Sequence, residues 1–157
     1  MGDSAFSVFN SNPKPRLKEY CIQLVQQNIN ALSDQLNQLK DAAQQENKSS
    51  AGDKHETGRA MLHLEEEKVA QQMISAENQL QNLFKIQTES DTENIKAGSL
   101  LATNKGFFYL ATGIGSIQFE NKEVKIISPS SPLAQKFMGN KNEFDLNGNQ
   151  YSIQEII

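Results

Sequence analysis

Two heptad seams with a common centre constrain this chain more than any other feature of its sequence. Between residues 22 and 43, apolar residues recur at alternating intervals of three and four, the a/d spacing of a coiled coil: Ile22, Val25, Ile29, Leu32, Leu36, Leu39 and Ala43. A second series has the same spacing with one acidic member: Leu62, Glu66, Val69, Met73, Ala76, Leu80 and Leu83. The residue numbers of opposed members add up to 105 in every layer, from Ile22 with Leu83 to Ala43 with Leu62. The seams therefore predict an antiparallel coiled-coil hairpin over residues 16–87 that folds back between Gly52 and Asp53, with its tip at residues 49–57.

The rest of the chain predicts a small β-rich domain, so the predicted fold class is α+β. Residues 1–15 are polar and show no period, which predicts a flexible tail, and residues 88–96 have the composition of a linker. From residue 97 to residue 157 the apolar period changes to two, as half-buried strands require. The strongest hairpin signal is Asn147-Gly148, while Ser131 and Pro132 predict the start of a short helix that stops at Gly139. Aromatic residues make up only 7% of the chain, which favours a hairpin with a small domain over one compact globule.

The predicted tip carries two carboxylates, Asp53 and Glu56, three residues apart at the start of the second helix. Residues at this spacing lie on one side of a helix. A pair of this kind suits weak binding of Mg²⁺, which commonly takes one or two carboxylates and fills its other positions with water or phosphate. The same spacing is typical of a capping box, in which Asp53 accepts from the first helical N–H groups and Glu56 reaches back to the cap. The residues leave both roles open, and the two roles are compatible.

The remaining reactive and apolar residues have simpler interpretations. Cys21 adjoins a seam position and has no acid or histidine near it in sequence, so we expect no nucleophilic role. We expect His55 to be a solvated tip residue, His63 to have no role, and Met61 and Met73 to belong to the helical core. The net charge of −4 argues against nucleic-acid binding by the chain as a whole. No apolar run approaches the ~20 residues of a membrane span, so we expect no membrane contact. The single Cys21 and the lack of a continuous apolar stretch near Met1 predict a cytoplasmic protein, which we expect to be a monomer.

Several motifs resemble those of bacterial Gre-type transcript cleavage factors. Gly52-Asp53-x-x-Glu56 matches the start of the family's tip motif, Gly-Asp-x-x-Glu-Asn-Ala-Glu-Tyr. The C-terminal part contains further motifs in the family's order: Ile127-Ser128-Pro129-Ser130-Ser131-Pro132-Leu133, Met138-Gly139-Asn140-Lys141, Glu143-Phe144 and Tyr151-Ser152-Ile153-Gln154-Glu155-Ile156. The resemblance covers residues 16–157 in architecture, and the order and spacing of the motifs carry it.

The resemblance implies an accessory factor that regulates transcription elongation and is not itself an enzyme. Its C-terminal domain is expected to be FKBP-like and to dock on RNA polymerase through Ser131 and Pro132, while the hairpin passes down the secondary channel. At the tip, the resemblance implies that Asp53 and Glu56 are the catalytic acids. They would hold a Mg²⁺ ion shared with the polymerase active site while backtracked nascent RNA is cut.

The tip also departs from the family's motif. Thr57-Gly58-Arg59-Ala60 stands where the family has Asn-Ala-Glu-Tyr, so an acid and an aromatic residue are absent and a cation is present. Two alternatives therefore stay open. One is a secondary-channel regulator without cleavage activity, which would compete with a cleavage factor yet leave stalled RNA intact. The other is a coiled-coil interaction module that binds another helical partner and no polymerase.

Overall fold

The computed structural model describes residues 3–48, 53–140 and 142–157, with the backbone alone for residues 53–55. The chain forms two compact units. The hairpin unit is Ile22–Gln81, and the sheet unit combines Met1–Cys21 with Asn82–Ile157. The boundary between the two units therefore falls within the long helices. It lies a few residues inside the predicted hairpin bounds of 16 and 87, because the beginning of the first helix and the end of the second belong to the sheet unit.

Two long helices make up the hairpin, α1 over Pro13–Lys48 and α2 over Asp53–Lys85. Their buried residues follow the predicted seams: no member of either seam is exposed, whereas most residues between the members are. Val25, Leu32, Val69 and Ala76 are buried. Towards the tip, where the seams contain Ala43 and Glu66, the seam residues are only partly buried. Small and acidic seam residues bury less apolar surface, so the stabilisation of the hairpin decreases towards its tip.

Met61 is not a core residue, and that expectation is wrong. Its side chain is 66% exposed, as is that of Leu64. Adjacent residues of a helix point about 100° apart, and the seam position next to Met61 is occupied by Leu62, which is partly buried. Met73, which is itself a seam residue, is partly buried.

The sheet unit contains six strands in its described residues, in the order β3-β4-β2-β1-β6-β5. The strands are β1 (Leu100–Thr103), β2 (Gly106–Leu110), β3 (Gly115–Phe119), β4 (Lys122–Ile127), β5 (Glu143–Leu146) and β6 (Asn149–Ile156). All neighbours are antiparallel except β2 and β4, which pair in parallel with Phe107 opposite Val124. The central strand β1 is buried along its whole length, since it lies between β2 and β6. The architecture is thus α+β, as the sequence predicted.

One helix, α3 (Pro132–Gly139), packs on the sheet. Its buried Ala134 and Phe137 share a core with Leu101, Phe108 and Leu110. The Phe137 ring lies 5.1 Å from the Phe108 ring and 5.1 Å from the Phe144 ring. The apolar alternation that predicted the strands supplies this core from one side of the sheet.

The predicted turn residues are confirmed at two places and corrected at two others. Asn147 and Gly148 both have positive φ, 52° and 79°, as a type I′ hairpin turn requires. Ser131 caps α3, since its side chain accepts from the N–H of Ala134 at 3.2 Å. Gly139 does not stop the helix in a left-handed conformation: it is the last helical residue, and Asn140 forms an extended cap with φ −138°.

The second correction concerns the β3–β4 turn. In the sequence, the alternating apolar residues Ile117 and Phe119 are followed by Asn121-Lys122, which predicts a turn there, but the two residues with positive φ are Glu120 and Asn121, at 49° and 66°. Lys122 already begins β4. The cross-strand pairing of Phe119 with Lys122 leaves only two residues for the turn, so the turn lies one residue earlier than expected.

The N-terminal segment (residues 4–12) differs from the tail that the sequence predicted for residues 1–15. Its short 3-10 helix, Ala5–Val8, places Phe6 and Phe9 in buried positions, and α1 begins at Pro13. The Phe9 ring lies 4.8 Å from that of Phe107 and 5.7 Å from that of Phe119. The aromatic side chains of this mostly polar segment thus cover the sheet. No hydrophobic period within the segment predicts this contact.

Carboxylates at both ends hold this segment in place. Ser4 donates to Glu155, and the N–H of Ala5 donates to the same carboxylate at 3.1 Å. At the other end, Glu120 accepts from the N–H of Asn10 at 2.9 Å and from Arg16 Nε at 2.8 Å. Two aromatic anchors and two carboxylates therefore tie the segment to the sheet unit.

Candidate functional site

α1 ends at Lys48 and α2 begins at Asp53. The predicted fold-back between Gly52 and Asp53 involves Gly52, which lies outside the described residues. Asp53 is helical in its backbone, and its side chain is not described. Glu56 follows in the first turn of α2 and is exposed. The described part of the candidate site therefore begins with an accessible carboxylate at the free end of the hairpin.

Behind Glu56, a small groove runs between the two helices. Its volume is about 140 Å³, and its lining consists of Ala43, Asn47, Arg59, His63 and Glu66. Both helices contribute to this lining, so they lie side by side up to this point. Glu56, Arg59 and His63 follow one another at intervals of three and four, which places them along one flank of α2. The flank thus presents an acid followed by a cation and an imidazole.

Gly58 of α2 lies next to the Glu46 side chain of α1. A Cβ atom at this position would lie 2.6 Å from Oε1 of Glu46. Glycine therefore leaves room for the Glu46 side chain, at a cost of about 1 kcal/mol in helix propensity relative to alanine. The rule of constant sums pairs Asn47 with Gly58, so the sequence already contained the signal for this groove, although we had not assigned it.

Glu56 is the one tip acid whose side chain the structure describes, and it is exposed. Carboxylate oxygens are hard ligands of the kind that Mg²⁺ prefers. Among the side chains that the structure describes, which exclude Asp53, no three His, Cys, Asp or Glu residues lie close enough together to hold a metal.

The predicted docking residues lie at the start of α3. The hydroxyl of Ser131 serves as the helix cap, and Pro132 is exposed next to it. The preceding loop is held by short hydrogen bonds: Ser128 Oγ and Ser130 Oγ are 2.8 Å apart, and Gln135 Nε2 donates to the Pro129 carbonyl at 2.8 Å. These hydrogen bonds join the loop to itself and to the first turns of α3.

Cys21 has no role in a surface site. Its side chain is fully buried, and burial raises the pKa of its thiol to about 12. A thiol with such a pKa is protonated at neutral pH and is a poor nucleophile. His63, for which we expected no role, is exposed and lines the groove behind Glu56.

Comparison of the chain with protein-family models, with curated proteins and with solved structures finds no match. No helix within the described ranges has a stretch long and apolar enough to cross a membrane.

Proposed function

We propose that this chain is a Gre-type regulator of transcription elongation, which binds RNA polymerase and reaches into its secondary channel with the hairpin. The observation that carries the proposal is the exposed Glu56 in the first turn of α2, at the free end of a two-helix hairpin. About 39 Å of α1 separate Ile22 from Lys48 at 1.5 Å per residue, a length that suits a probe. The match of Gly52-Asp53-x-x-Glu56 with the family's tip motif supports the same proposal.

In this proposal the helices pair as an antiparallel coiled coil in the register of constant sums. The sheet unit is an FKBP-like domain that docks on the polymerase through Ser131 and Pro132. Asp53 and Glu56 would help to hold a Mg²⁺ ion shared with the polymerase active site, which supplies the chemistry of phosphodiester hydrolysis. The protein acts as an accessory factor, and the nuclease activity belongs to the polymerase.

A transcript cleavage assay tests this function. Polymerase is stalled with a backtracked RNA and treated with the wild-type chain in Mg²⁺. We expect the RNA to be shortened by the wild type but not by a variant that combines Asp53→Ala with Glu56→Ala. The matched control combines Glu67→Ala with Glu77→Ala, which removes two exposed acids from α2 away from the tip and must leave cleavage intact. Equal shortening by the tip variant would overturn the assigned role of the acids.

A second function, regulation without cleavage, is favoured by Arg59. This exposed cation lies three residues after Glu56 on the same flank, where it opposes the binding of a divalent cation. This function predicts that the wild type binds polymerase and competes with a cleavage factor, yet leaves the stalled RNA unchanged. Arg59→Glu would then confer cleavage if the cation alone prevents it. Absence of polymerase binding by the wild type would reject both functions and leave the interaction module.

A further inference from the structure

A groove in the sheet unit has the composition of a site for an acidic peptide. It lies between the last turn of α2 and the loop that precedes α3, and its volume is about 290 Å³. Its walls include Ile86, Ala111 and Pro129, and the first two of these are buried. Asn82, Lys85 and Ser130 are exposed at its rim. Apolar walls with a few polar groups at the rim are typical of sites that receive a side chain of a partner.

Lys85 is the one charged residue among the described residues that line this groove. A lysine at the end of a helix often serves the last carbonyl groups. Here that task belongs to Lys18 of α1, whose Nζ donates to the carbonyl of Ile86 at 2.7 Å and approaches that of Phe84 at 3.5 Å. Lys85 is exposed and forms no ion pair with any described residue. Its charge is therefore available to a ligand.

The loop opposite Lys85 adds hydrogen-bond donors. Ser128 Oγ accepts from the N–H of Ser130 at 3.2 Å, and the two hydroxyls share one further hydrogen bond. When Ser128 donates in that bond, the exposed hydroxyl of Ser130 is able to donate outwards. A cation, a hydroxyl and the amide of Asn82 thus surround an apolar groove.

This chemistry selects one kind of occupant. A nucleic-acid backbone requires several cations, since each phosphate contact adds separately to the affinity, and this groove offers one. A carboxylate beside an apolar side chain matches both the rim and the walls. We propose that the groove receives an acidic segment of RNA polymerase, with its carboxylate on Lys85 and its neighbouring apolar side chain against Pro129. The inference rests on the proposed function, because the same loop leads directly into Ser131 and Pro132.

Charge reversal at Lys85 tests the inference. Binding of the wild type, Lys85→Glu, Lys85→Arg and Lys105→Glu to purified RNA polymerase is measured at low and at high salt. Lys105 is exposed in the β1–β2 turn of the same unit and does not line the groove, so its reversal makes the same change in net charge elsewhere. We expect Lys85→Glu to bind about tenfold more weakly at low salt, with a smaller difference at high salt because surface charges are screened. Lys85→Arg and Lys105→Glu should bind as the wild type does.

The outcomes separate this inference from the proposed function. If the wild type does not bind polymerase, the proposed function fails and the groove inference fails with it. If the wild type binds and Lys85→Glu binds equally well, the groove inference is overturned while the proposed function stands. Equal weakening by Lys85→Glu and Lys105→Glu also overturns it, because the effect is then one of net charge.

Discussion

Phe9→Ala tests whether the N-terminal segment is part of the folded sheet unit. The Phe9 side chain is 7% exposed. The centroid of its ring lies 4.8 Å from that of Phe107, in an edge-on geometry, and 5.7 Å from that of Phe119. Burial of a phenylalanine is worth about 1.5–3 kcal/mol, and each aromatic pair adds about 0.5–1.5 kcal/mol. The segment contains only a short 3-10 helix, which readjusts more easily than a central strand, so we expect a loss of about 3 kcal/mol in the free energy of unfolding, near the lower limit for core Phe→Ala substitutions.

Tyrosine fluorescence is a suitable assay, because Tyr20, Tyr109 and Tyr151 all belong to the sheet unit. In a chain of this length, 1 kcal/mol corresponds to about 2–4 °C, so Tm should fall by about 6–12 °C. The control is Val8→Ala on the same segment, whose side chain is 46% exposed and whose loss should cost less than about 1 kcal/mol. If Phe9→Ala lowers Tm no more than Val8→Ala does, the segment does not stabilise the sheet unit and the reasoning is refuted.

Three further predictions follow from single groups in the sheet unit. Tyr109 Oη is buried without a hydrogen-bond partner among the described residues, so Tyr109→Phe should raise stability by about 1 kcal/mol in calorimetry; a loss of stability would show that the hydroxyl has a partner. Gly98 has φ +95° and a Cβ there would lie 2.7 Å from the Gln87 carbonyl oxygen, whereas Gly106 has φ +97° with open space. Gly98→Ala should therefore lower the free energy of unfolding more than Gly106→Ala, which introduces only left-handed backbone strain of about 1–2 kcal/mol. Urea unfolding compares the two variants, and equal losses would contradict the contact. The hydrogen bond from Arg16 holds the pKa of Glu120 below its ordinary value of 4.5. The ionised Glu120 therefore stabilises the folded state above that pH, and this stabilisation is lost as the pH falls through the folded-state pKa. The fall in Tm on acidification should be smaller in Glu120→Gln than in the wild type, and identical profiles would exclude this pair as a source of acid lability.

The elements with a strong local signal could be predicted. The seams are a property of spacing alone, so the helices and their buried positions follow from the numbers of the residues. Asn147-Gly148 and Ser131-Pro132 carry their turn and cap chemistry within two residues, and the structure has both features. The conformation of Gly139 was not predictable in this way, because the end of a helix depends on the backbone conformation of the residues that follow it and not on one residue alone.

The candidate site likewise contains features that the sequence predicts and features that it does not. Asp53 and Glu56 could be placed at the tip because the centre of the two seams is a number read from the sequence. The groove behind Glu56 has only an indirect signal: the rule of constant sums pairs Asn47 with Gly58, but it does not indicate which side chains line the space between the helices. The Lys85 groove had no sequence signal, because its lining comes from four separate stretches of the chain.

The helical hairpin, the place of its acids and the alternation of the strands thus follow from periods and from pairs of nearby residues. The role of the N-terminal segment does not, because Phe6 and Phe9 find their partners about 100 residues away in a sheet. The different surroundings of two lysines also depend on tertiary contacts: Lys18 donates to the carbonyl of Ile86, whereas Lys85 forms no ion pair with the described residues. Contacts of this kind depend on long-range packing, which a local pattern does not encode.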